Sequence, residues 1–281
     1  MSSAFQINTN IQSQQALLNL QNTNEELATR QERLTTGLRI NSAEDDAAGF
    51  EIAAQLEAKT GGQEQASRNI SDAKSMLSVA EGGLDSQLDI LQDMKEKTVQ
   101  AANDSLSDSE RTAIETELDE LTSELNDIAE NTEFNDRNLI GGSGNVTLEF
   151  QTGAESSETF EATIENSRAE DIGSSGNEIG SGSGNFNFDL TTASGNSNAI
   201  TSVDDAIDDV SSQLSDLGAT QNRLSFKQEN LETSTRNLNS AQSQIEDADF
   251  AREQTEVAKL QVLQQTGTAQ LAQANAAGQS V

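Results

Sequence analysis

The sequence predicts a mainly α-helical protein, built as a long antiparallel helical bundle or coiled coil with one small β-hairpin. Apolar residues recur at every seventh position near the C-terminal end, and in steps of three and four near the N-terminal end. Between these two blocks lies a segment rich in Gly, Ser and Asn. A sustained heptad marks a helix that pairs with another helix along its length. The two helical blocks are therefore expected to pack antiparallel to each other, with the chain reversing direction in the middle segment.

The first predicted element is a helix over residues 1–36 that stops at Gly37. Its apolar stripe consists of Ile7, Ile11, Leu17, Leu20, Leu27 and Leu34. Because the opposing positions Asn24 and Gln31 are polar, the stripe is weak on its own and needs a partner helix.

The second helix is predicted to begin at a cap on Asn41 or Ser42 and to reach about Asn103. Acidic residues would occupy its first turn, where the helix dipole favours negative charge. They are Glu44, Asp45 and Asp46. Its apolar face is Ala66, Ile70, Ala73, Leu77, Ala80 and Leu84. The glycine pairs at 61–62 and 82–83 weaken this helix, since each Gly costs about 1 kcal/mol relative to Ala.

A third helix is predicted to open at Ser107 and to end near Glu130. Ser107 and Glu110 have the Ser-x-x-Glu spacing of a capping box, in which the two residues satisfy the first free N–H groups of a helix. One face of this helix is apolar, and its members are Ile114, Leu118, Leu121, Leu125 and Ile128.

After 141–142 the apolar period changes from helical to two, which predicts a β-hairpin joined through Gly153. The alternating residues are Val146, Leu148 and Phe150 in the first strand, with Phe160, Ala162 and Ile164 in the second. Residues 167–198 are glycine-rich and predict a loop or a minimal outer patch. Helix is predicted to resume near Ala199 and to run to the end. Its heptad is Val203, Val210, Leu217, Leu224, Leu231, Leu238 and Ile245.

The charge balance narrows the possible partners. The chain carries 48 acidic and 16 basic residues, for a formal net charge of −32. Such a field repels nucleic acid and anionic lipid, so neither nucleic acid nor a membrane is expected as a partner. Self-repulsion is tolerable in high salt, because the Debye length falls to about 3 Å at 1 M. The composition favours a protein from a halophile, and an ordinary acidic protein is the alternative.

Cys, His, Pro, Trp and Tyr are all absent from the chain. No Ser–His or Cys–His nucleophile and no typical zinc site can form, and no phosphate-binding glycine motif follows a predicted strand. Adjacent carboxylates such as Asp204 and Asp205 lack the spacing of a calcium loop and are interpreted as solvated helix faces. We therefore predict that the protein is not an enzyme and has no cofactor and no metal site.

The chain shows no basic-then-apolar signal segment, and no apolar run near the roughly 20 residues that a membrane span needs. The lack of Pro and of disulfides is compatible with export as an unfolded chain through a narrow channel, because nothing isomerises slowly or cross-links. We expect a protein that is exported without a cleaved signal peptide.

Several stretches resemble bacterial flagellins. They are GLRINSAEDDAAG at 37–49, QASRN at 65–69, EFN at 133–135, LGATQNRL at 217–224, IEDADF at 245–250, LQQTG at 263–267 and LAQAN at 271–275. They occur in the same order as in flagellins. The combination is therefore specific to this family, whereas any single stretch would not be. The resemblance implies a flagellin-like fold, and the short glycine-rich middle implies that the outer domains are reduced or absent.

The resemblance further implies a structural subunit that polymerises into the extracellular flagellar filament for swimming motility. It implies self-association as a helical homopolymer, type III export with a flagellar export chaperone, and assembly beside filament cap and hook-associated proteins. By the same resemblance, 1–40 would form an N-terminal inner-tube helix and connector, and 245–281 the C-terminal inner-tube helix. The long bundle would comprise 41–140 and 199–244, with the hairpin and variable segment at 141–198.

The expected polymerisation interface combines apolar residues from both ends with arginines that are rare cations in an acidic chain. The apolar residues are Ile7, Ile11, Leu20, Leu27, Leu34, Val257, Leu260, Leu263 and Leu271. The arginines are Arg39, Arg68, Arg223 and Arg252, which are expected to bridge carboxylates within or between subunits. The alternatives are a hook–filament junction protein, which shares both terminal patterns, and another soluble coiled-coil binding protein.

Overall fold

The structure, a computed structural model, describes residues 10–142, 144–174, 177–180 and 185–277. It is mainly helical, which confirms the predicted fold class. The helices are α1 (Ile11–Thr36), α2 (Ala47–Ala101), α3 (Asp108–Asn131), α4 (Ala193–Glu246) and α5 (Phe250–Ala277). The antiparallel strand pairs are β1 (Glu133–Phe134) with β2 (Arg137–Asn138), β3 (Val146–Gln151) with β4 (Thr159–Ile164), and β5 (Gly173–Ser174) with β6 (Asn177–Glu178).

The chain divides into two compact units. The first contains the described residues of 10–60 and 236–277, and the second contains the described part of Gly61–Thr235. In the second unit the apolar faces predicted for the second and third helices meet those of α4 and the hairpin in one buried cluster. The α4 heptad is buried at Val203, Val210, Leu217 and Leu224, and Leu231 is half-buried against the same cluster.

Helix α1 has a defined cap at each end. The Asn10 side-chain oxygen accepts the Ser13 N–H at 3.0 Å, which satisfies a free donor of the first turn. At the other end Gly37 adopts φ 76° and its N–H donates to the Arg33 carbonyl at 2.9 Å. A left-handed C-cap favours glycine. This explains why α1 ends at Gly37, as the sequence predicted. Ile7 and the rest of residues 1–9 lie outside the described residues.

Helix α2 begins at Ala47, so the predicted cap at Asn41 or Ser42 is wrong. The cap is Asp46, whose side-chain oxygen accepts the Gly49 N–H at 3.0 Å. The Asp45 carboxylate instead accepts the N–H groups of Asn41 and Ser42, both at 3.1 Å. These bonds close the acidic stretch into a turn that precedes the helix, where the sequence had suggested its first helical turn.

Helix α2 continues through both glycine pairs. At Gly83 an added Cβ would lie 2.5 Å from Thr132 Oγ1 and 2.9 Å from Ile140 Cδ1. At Gly82 nothing lies within 4 Å of an added Cβ. Gly83 therefore allows a close approach of the chain after α3, whereas Gly82 has no such packing role.

The predicted capping box and hairpin are both confirmed. The Ser107 N–H donates to Glu110 Oε2 at 2.8 Å, and α3 starts at the next residue. This bond is the largest cause of a lowered pKa at the Glu110 carboxyl. In the hairpin Phe150 pairs with Phe160, so the alternating apolar residues of the two strands lie on one face. Each strand buries one face against the core, as period-two patterning requires.

The glycine-rich segment differs from the predicted loop or outer patch. Its apolar side chains are buried in the core of the second unit, namely Ile172, Ile179, Phe186, Phe188 and Leu190. Helix α4 then begins at Ala193, six residues before the predicted start at Ala199. The Thr192 hydroxyl accepts the Gly195 N–H at 3.0 Å, so a threonine cap starts the helix despite its poor helix-forming sequence.

The C-terminal helix does not run unbroken to the end, as predicted, but is interrupted between α4 and α5. The Arg39 N–H donates to the Glu246 carbonyl at 2.5 Å, and the Ala248 N–H donates to the Gly37 carbonyl at 2.9 Å. Asp249 caps the new helix by accepting the Arg252 N–H at 3.1 Å. The break satisfies backbone groups of the connector that follows α1.

Candidate assembly interface

The terminal helices α1 and α5 pack against each other in antiparallel orientation. The Asn10 amide donates to the Ala274 carbonyl at 2.9 Å. Further along, the Gln264 amide donates to the Asn24 side-chain oxygen at 2.8 Å. Partner residue numbers rise along one helix and fall along the other, so the two ends of the chain form one helical pair.

A small apolar cluster holds this pair together. Leu27 of α1 is 8% exposed, and Val257 and Leu260 of α5 are 5% and 4% exposed. Leu34 is half-buried and packs against these three residues. The structure thus brings together four of the predicted interface residues, and it does so within one chain.

A buried carboxylate lies beside the apolar cluster. Glu253 is 6% exposed, and Arg30 Nη1 lies 2.8 Å from its Oε1 and 3.0 Å from its Oε2. Arg33 Nη1 lies 4.0 Å from the same Oε1, so two guanidinium groups compensate one buried charge. Paired guanidinium and carboxylate groups are what allow such a charge to be buried.

Arg33 also links the helical pair to the connector. Its Nη2 donates to Asp45 Oδ1 at 3.1 Å. The pKa of the Asp45 carboxyl lies below its ordinary value, chiefly because the Asn41 N–H donates to it and then because of the Arg33 guanidinium. One arginine therefore contacts both the carboxylate on α5 and the turn that precedes α2.

Sequence reasoning missed this ion-pair network. Arg30 lies three residues after the buried Leu27, and Glu253 lies four residues before the buried Val257. That spacing puts both charges on the paired faces of their helices, which is a signal the sequence contained. The signal is weak, because the chain has 48 acidic residues and many of them show a similar spacing from an apolar residue.

Other large apolar side chains of the terminal helices are exposed. On α1 these are Ile11, Leu17 and Leu18, and on α5 Phe250, Val262 and Leu263. Leu18 is 58% and Val262 is 62% exposed, values far above those of the paired residues. Of the predicted residues, Leu20 and Leu271 are half-buried. The predicted apolar set therefore divides into residues that pair α1 with α5 and residues that remain uncovered.

None of the four predicted arginines contacts a carboxylate among the described residues. Arg39 donates to the Ile245 carbonyl at 2.5 Å, and Arg68 donates to the Gln65 side-chain oxygen at 2.7 Å. The Arg223 guanidinium lies over the Phe160 ring, 4.7 Å from its centroid. The Arg252 guanidinium is exposed. Bridging of carboxylates between subunits stays a prediction.

Two family models match the chain. The bacterial flagellin N-terminal helical region matches residues 7–145, and the bacterial flagellin C-terminal helical region matches residues 200–281. The chain belongs to the bacterial flagellin family. This confirms the resemblance drawn from the sequence motifs.

Named flagellins share substantial sequence identity with this chain. B-type flagellin of Pseudomonas aeruginosa is 40% identical over 171 residues, which are 61% of this chain and 35% of that protein. Flagellin D of Vibrio cholerae is 35% identical over 210 residues, which are 70% of this chain and 55% of that protein. The chain spans about half the length of these flagellins or less.

A solved structure also resembles this flagellin family member. It is a protein from Vibrio parahaemolyticus assigned as flagellar hook-associated, and it superposes with a TM-score of 0.57 at 17% identity. The superposition covers 72% of this chain and 100% of that chain. At this identity the likeness bears on the fold alone, and it agrees with a helical flagellin fold without large outer domains.

The flagellin motif at 37–49 has a clear structural role in the first unit. Gly37 ends α1, and residue 38 forms an isolated antiparallel bridge with Asp247. Gly49 packs so closely that an added Cβ would lie 2.6 Å from Ile40 Cδ1. Within the first unit, the motif thus forms the connector between α1 and the first turns of α2.

Within residues 10–142, 144–174, 177–180 and 185–277, no cluster of three or more carboxylates is arranged to hold a metal ion. None of their helices is long and apolar enough to cross a membrane.

Proposed function

We propose that this chain is a structural subunit that polymerises with copies of itself into an extracellular bacterial flagellar filament for swimming. The observation that carries this proposal is the pairing of α1 with α5, which leaves Leu18, Val262 and Leu263 exposed on the outside of the pair. Burying this surface against other copies would contribute about 25 cal/mol for each Å² of apolar area. Membership of the flagellin family supports the same role, which is structural and not catalytic.

The predicted interface residues would act in two ways. Exposed residues such as Ile11 and Leu263 would contact neighbouring subunits directly, and the same role for Ile7, which lies outside the described residues, stays a prediction. Buried residues such as Leu27 and Val257 would act indirectly, by holding the two terminal helices together. Contacts between unlike faces of identical subunits propagate as an open helix when the rotation does not close a ring.

The remaining parts of the chain are assigned by the same proposal. Residues 1–40 and 245–281 would line the inner tube, and 41–140 with 199–244 would form the surrounding bundle. Residues 141–198 would lie on the outer side. The exposed arginines Arg39, Arg68, Arg223 and Arg252 would then be available to carboxylates of neighbouring subunits, which is the role expected from the sequence.

The decisive variant is Leu263→Asp, because Leu263 is 46% exposed and lies outside the buried cluster. A charge there should block polymerisation while the monomer keeps its helical content, measured by electron microscopy and circular dichroism. Gln265→Asp is the matched control, since it adds the same charge at an exposed polar position of the same helix. Normal filaments from Leu263→Asp would contradict the proposal, as would equal loss of filaments in both variants.

Leu27→Asp tests the indirect contribution. It places a charge inside the buried cluster of the helical pair, so both the pairing of α1 with α5 and polymerisation should be lost. Analytical ultracentrifugation distinguishes a polymerising subunit from a soluble coiled-coil binding protein. A stable small oligomer with no polymer at any salt concentration would favour a soluble coiled-coil binding protein.

We propose the export partners on the basis of both family membership and amino-acid composition. A chain without Cys and Pro can pass a narrow type III channel unfolded, escorted by a flagellar export chaperone, and assemble beside filament cap and hook-associated proteins. No cleaved signal peptide is expected. Secretion of the intact N-terminus, measured by mass spectrometry of shed filaments, tests this assignment.

We also propose that the protein works in high salt. Its net charge of −32 includes many exposed carboxylates, and their mutual repulsion is screened within about 3 Å at 1 M salt. Filaments should therefore loosen when salt is diluted to tens of millimolar. Light scattering that stays constant on dilution would contradict a requirement for screening.

A further inference from the structure

Phe226 of helix α4 is 72% exposed, the highest value among the large apolar side chains that the structure describes. Two residues span about 200° of a helix, so Phe226 lies on the side of α4 opposite the buried Leu224. A single exposed apolar side chain is common on protein surfaces and needs no explanation by itself. The charges around Phe226 are what distinguish it.

The surface around Phe226 is cationic, although the chain is strongly acidic. Residues 217–228 contain two cations and no acidic residue, whereas the whole chain has a net charge of −32. The Arg223 guanidinium carbon and Lys227 Nζ lie 4.7 and 5.8 Å from the centroid of the buried Phe160 ring. The ring face attracts both cations and holds them beside Phe226.

An open groove of about 560 Å³ borders the same stretch of α4 and adds a third cation. Its walls are Ser71, Lys74, Ser75, Ser78 and Gln228. Within the described part of the chain, none of Lys74, Arg223 and Lys227 forms an ion pair. These three cations and Phe226 together are named the cationic patch. Its charges are therefore available to carboxylates of another molecule.

Helix α3 of the same unit carries the opposite charge, with nine acidic residues and one basic residue. Glu120, Glu124 and Asp127 are exposed, and their spacing of four and three residues puts them on one face. None of these three, named the acidic stripe, forms an ion pair among the residues that the structure covers. Leu121 and Ile128 lie three and four residues from Glu124 and are half-buried. The stripe thus combines free carboxylates with partly exposed apolar side chains.

We infer that the cationic patch docks on the acidic stripe of a second copy of this chain. The cations pair with the stripe carboxylates, and Phe226 packs against Leu121 and Ile128. Apolar anchors surrounded by polar groups are typical centres of protein interfaces. A contact between two unlike faces leaves one of each free on the resulting dimer, so it can propagate as an open helix. The contact rests on the proposed function, polymerisation of identical chains, and assigns the faces that meet.

Charge complementarity favours another copy as the partner. Copies that each carry a net charge of −32 repel one another over most of their surface, so approach costs least where a cationic patch meets carboxylates. High salt screens exposed charges strongly but screens partly buried pairs much less. Burial around Phe226 therefore keeps these ion pairs effective at the salt concentration proposed for this protein.

Cross-linking within filaments tests this contact, and it is specific because the chain has no native cysteine. Chains carrying Ser225→Cys, next to Phe226, are mixed with chains carrying Ser123→Cys on the exposed face of α3. Since each chain has one cysteine, a dimer that contains both substitutions can form only between copies. After assembly and addition of a short bis-maleimide reagent, we expect this mixed dimer, identified by mass spectrometry.

Ser86→Cys replaces Ser123→Cys in the matched control. Both serines are exposed, and each hydroxyl donates to the carbonyl four residues earlier in its helix, at 2.9 Å for Ser86 and 3.0 Å for Ser123. The two substitutions are therefore equivalent in the single chain. Only the chain with cysteine on α3 should form the mixed dimer with Ser225→Cys.

Phe226→Ser measures the contribution of the apolar anchor. Loss of an interface anchor should raise the critical concentration for polymerisation by about tenfold or more, measured by sedimentation of filaments. The helical content of the monomer should stay unchanged in circular dichroism, because the side chain is exposed. Phe226→Leu keeps an apolar side chain and should polymerise nearly as the parent does.

Two results would overturn the assignment of these faces. One is filaments without the mixed dimer, or with equal yields of it for Ser123→Cys and Ser86→Cys. The other is an unchanged critical concentration for Phe226→Ser. Either result would leave the proposed function intact, because filaments would still form. A parent chain that forms no filaments would contradict both proposals.

Discussion

The Arg30 guanidinium donates to both carboxylate oxygens of Glu253, at 2.8 and 3.0 Å, across the pair of terminal helices. The Arg30 side chain is 35% exposed, whereas that of Glu253 is 7% exposed. The carboxylate is thus the buried partner, and the arginine is the group that makes its burial tolerable.

Arg30→Met should therefore weaken the pairing of α1 with α5 more than Glu253→Gln does. The first variant leaves a buried charge with only the more distant Arg33, at a cost of about 1–3 kcal/mol, whereas the second removes that charge. Hydrogen exchange of α5 backbone amides measures the difference. Lys259→Met is the control, because Lys259 forms an exposed pair with Glu256 and should change stability by less than about 0.5 kcal/mol. The reverse order of effects would contradict this account.

Gly82→Ala and Gly83→Ala should have opposite effects on the stability of the second unit. An added Cβ at Gly82 meets nothing within 4 Å, so alanine should stabilise by about 0.5–1 kcal/mol through helix propensity. At Gly83 the Cβ would lie 2.5 Å from Thr132 Oγ1, which should destabilise by about 1–3 kcal/mol. Urea unfolding followed by circular dichroism measures both. Equal effects would mean that α2 can shift away from Thr132 at little cost.

Asp45→Asn should destabilise the connector at neutral pH, by about 0.5–1.5 kcal/mol. The Asn41 N–H and the Arg33 guanidinium hold the pKa of Asp45 below its ordinary value of 3.8. The carboxylate therefore contributes stability above that value and loses it as the pH falls through the lowered pKa. Hydrogen exchange at the Ser42 amide should be faster in the variant at neutral pH and similar to the parent in strong acid. Glu44→Gln, a change at a neighbouring exposed residue, should leave the exchange rate of the Ser42 amide unaltered at neutral pH and in strong acid.

Glu115→Gln should stabilise the second unit at neutral pH, by about 0.5–1 kcal/mol. Burial first, and then the Asp189 carboxylate, raise the pKa of Glu115. A raised pKa means that the charged form opposes folding above that pKa, and that the parent regains stability as the pH falls through it. The advantage of the variant should shrink on acidification, as measured by thermal unfolding at several pH values. Glu120→Gln, an exposed change on the same helix, should show no comparable pH dependence.

The helices and the hairpin were predictable because each has a periodic pattern with local chemistry at its ends. The Ser107–Glu110 capping box and Gly37 act within one turn of the chain, so sequence alone places them. The alternation around Phe150 and Phe160 likewise predicts which face of each strand is apolar. Such features depend on neighbours in the sequence, which a single sequence displays fully.

The errors came from local contacts that competed with the predicted cap, and from side chains whose burial depends on distant parts of the fold. Asp45 closes a turn with Asn41 and Ser42 and pairs with Arg33, which moves the start of α2 away from the predicted cap. Buried Ile172 and Ile179 stand singly among polar residues and glycines and give no period. Phe186, Phe188 and Leu190 do alternate with polar residues, but this period of two lies in a glycine-rich segment that was interpreted as a loop.

The candidate interface was only half predictable for the same reason. Apolar residues of both ends were found by spacing, but which of them pair within the chain depends on the α1–α5 register. The Arg30–Glu253 ion pair joins segments far apart in sequence. The spacing of Glu253 from Val257 places it on the paired face of α5, but only the fold shows which cation it meets.

The hydrogen bond from the Asn10 amide to the Ala274 carbonyl brings the beginning of α1 and the last turns of α5 side by side. A short polar linker could therefore join the start of α1 to the end of α5, and new termini could be opened at the hairpin turn near Gly153. Such a circular permutant should fold to the same helical pair, because packing does not depend on the order in which the segments are synthesised.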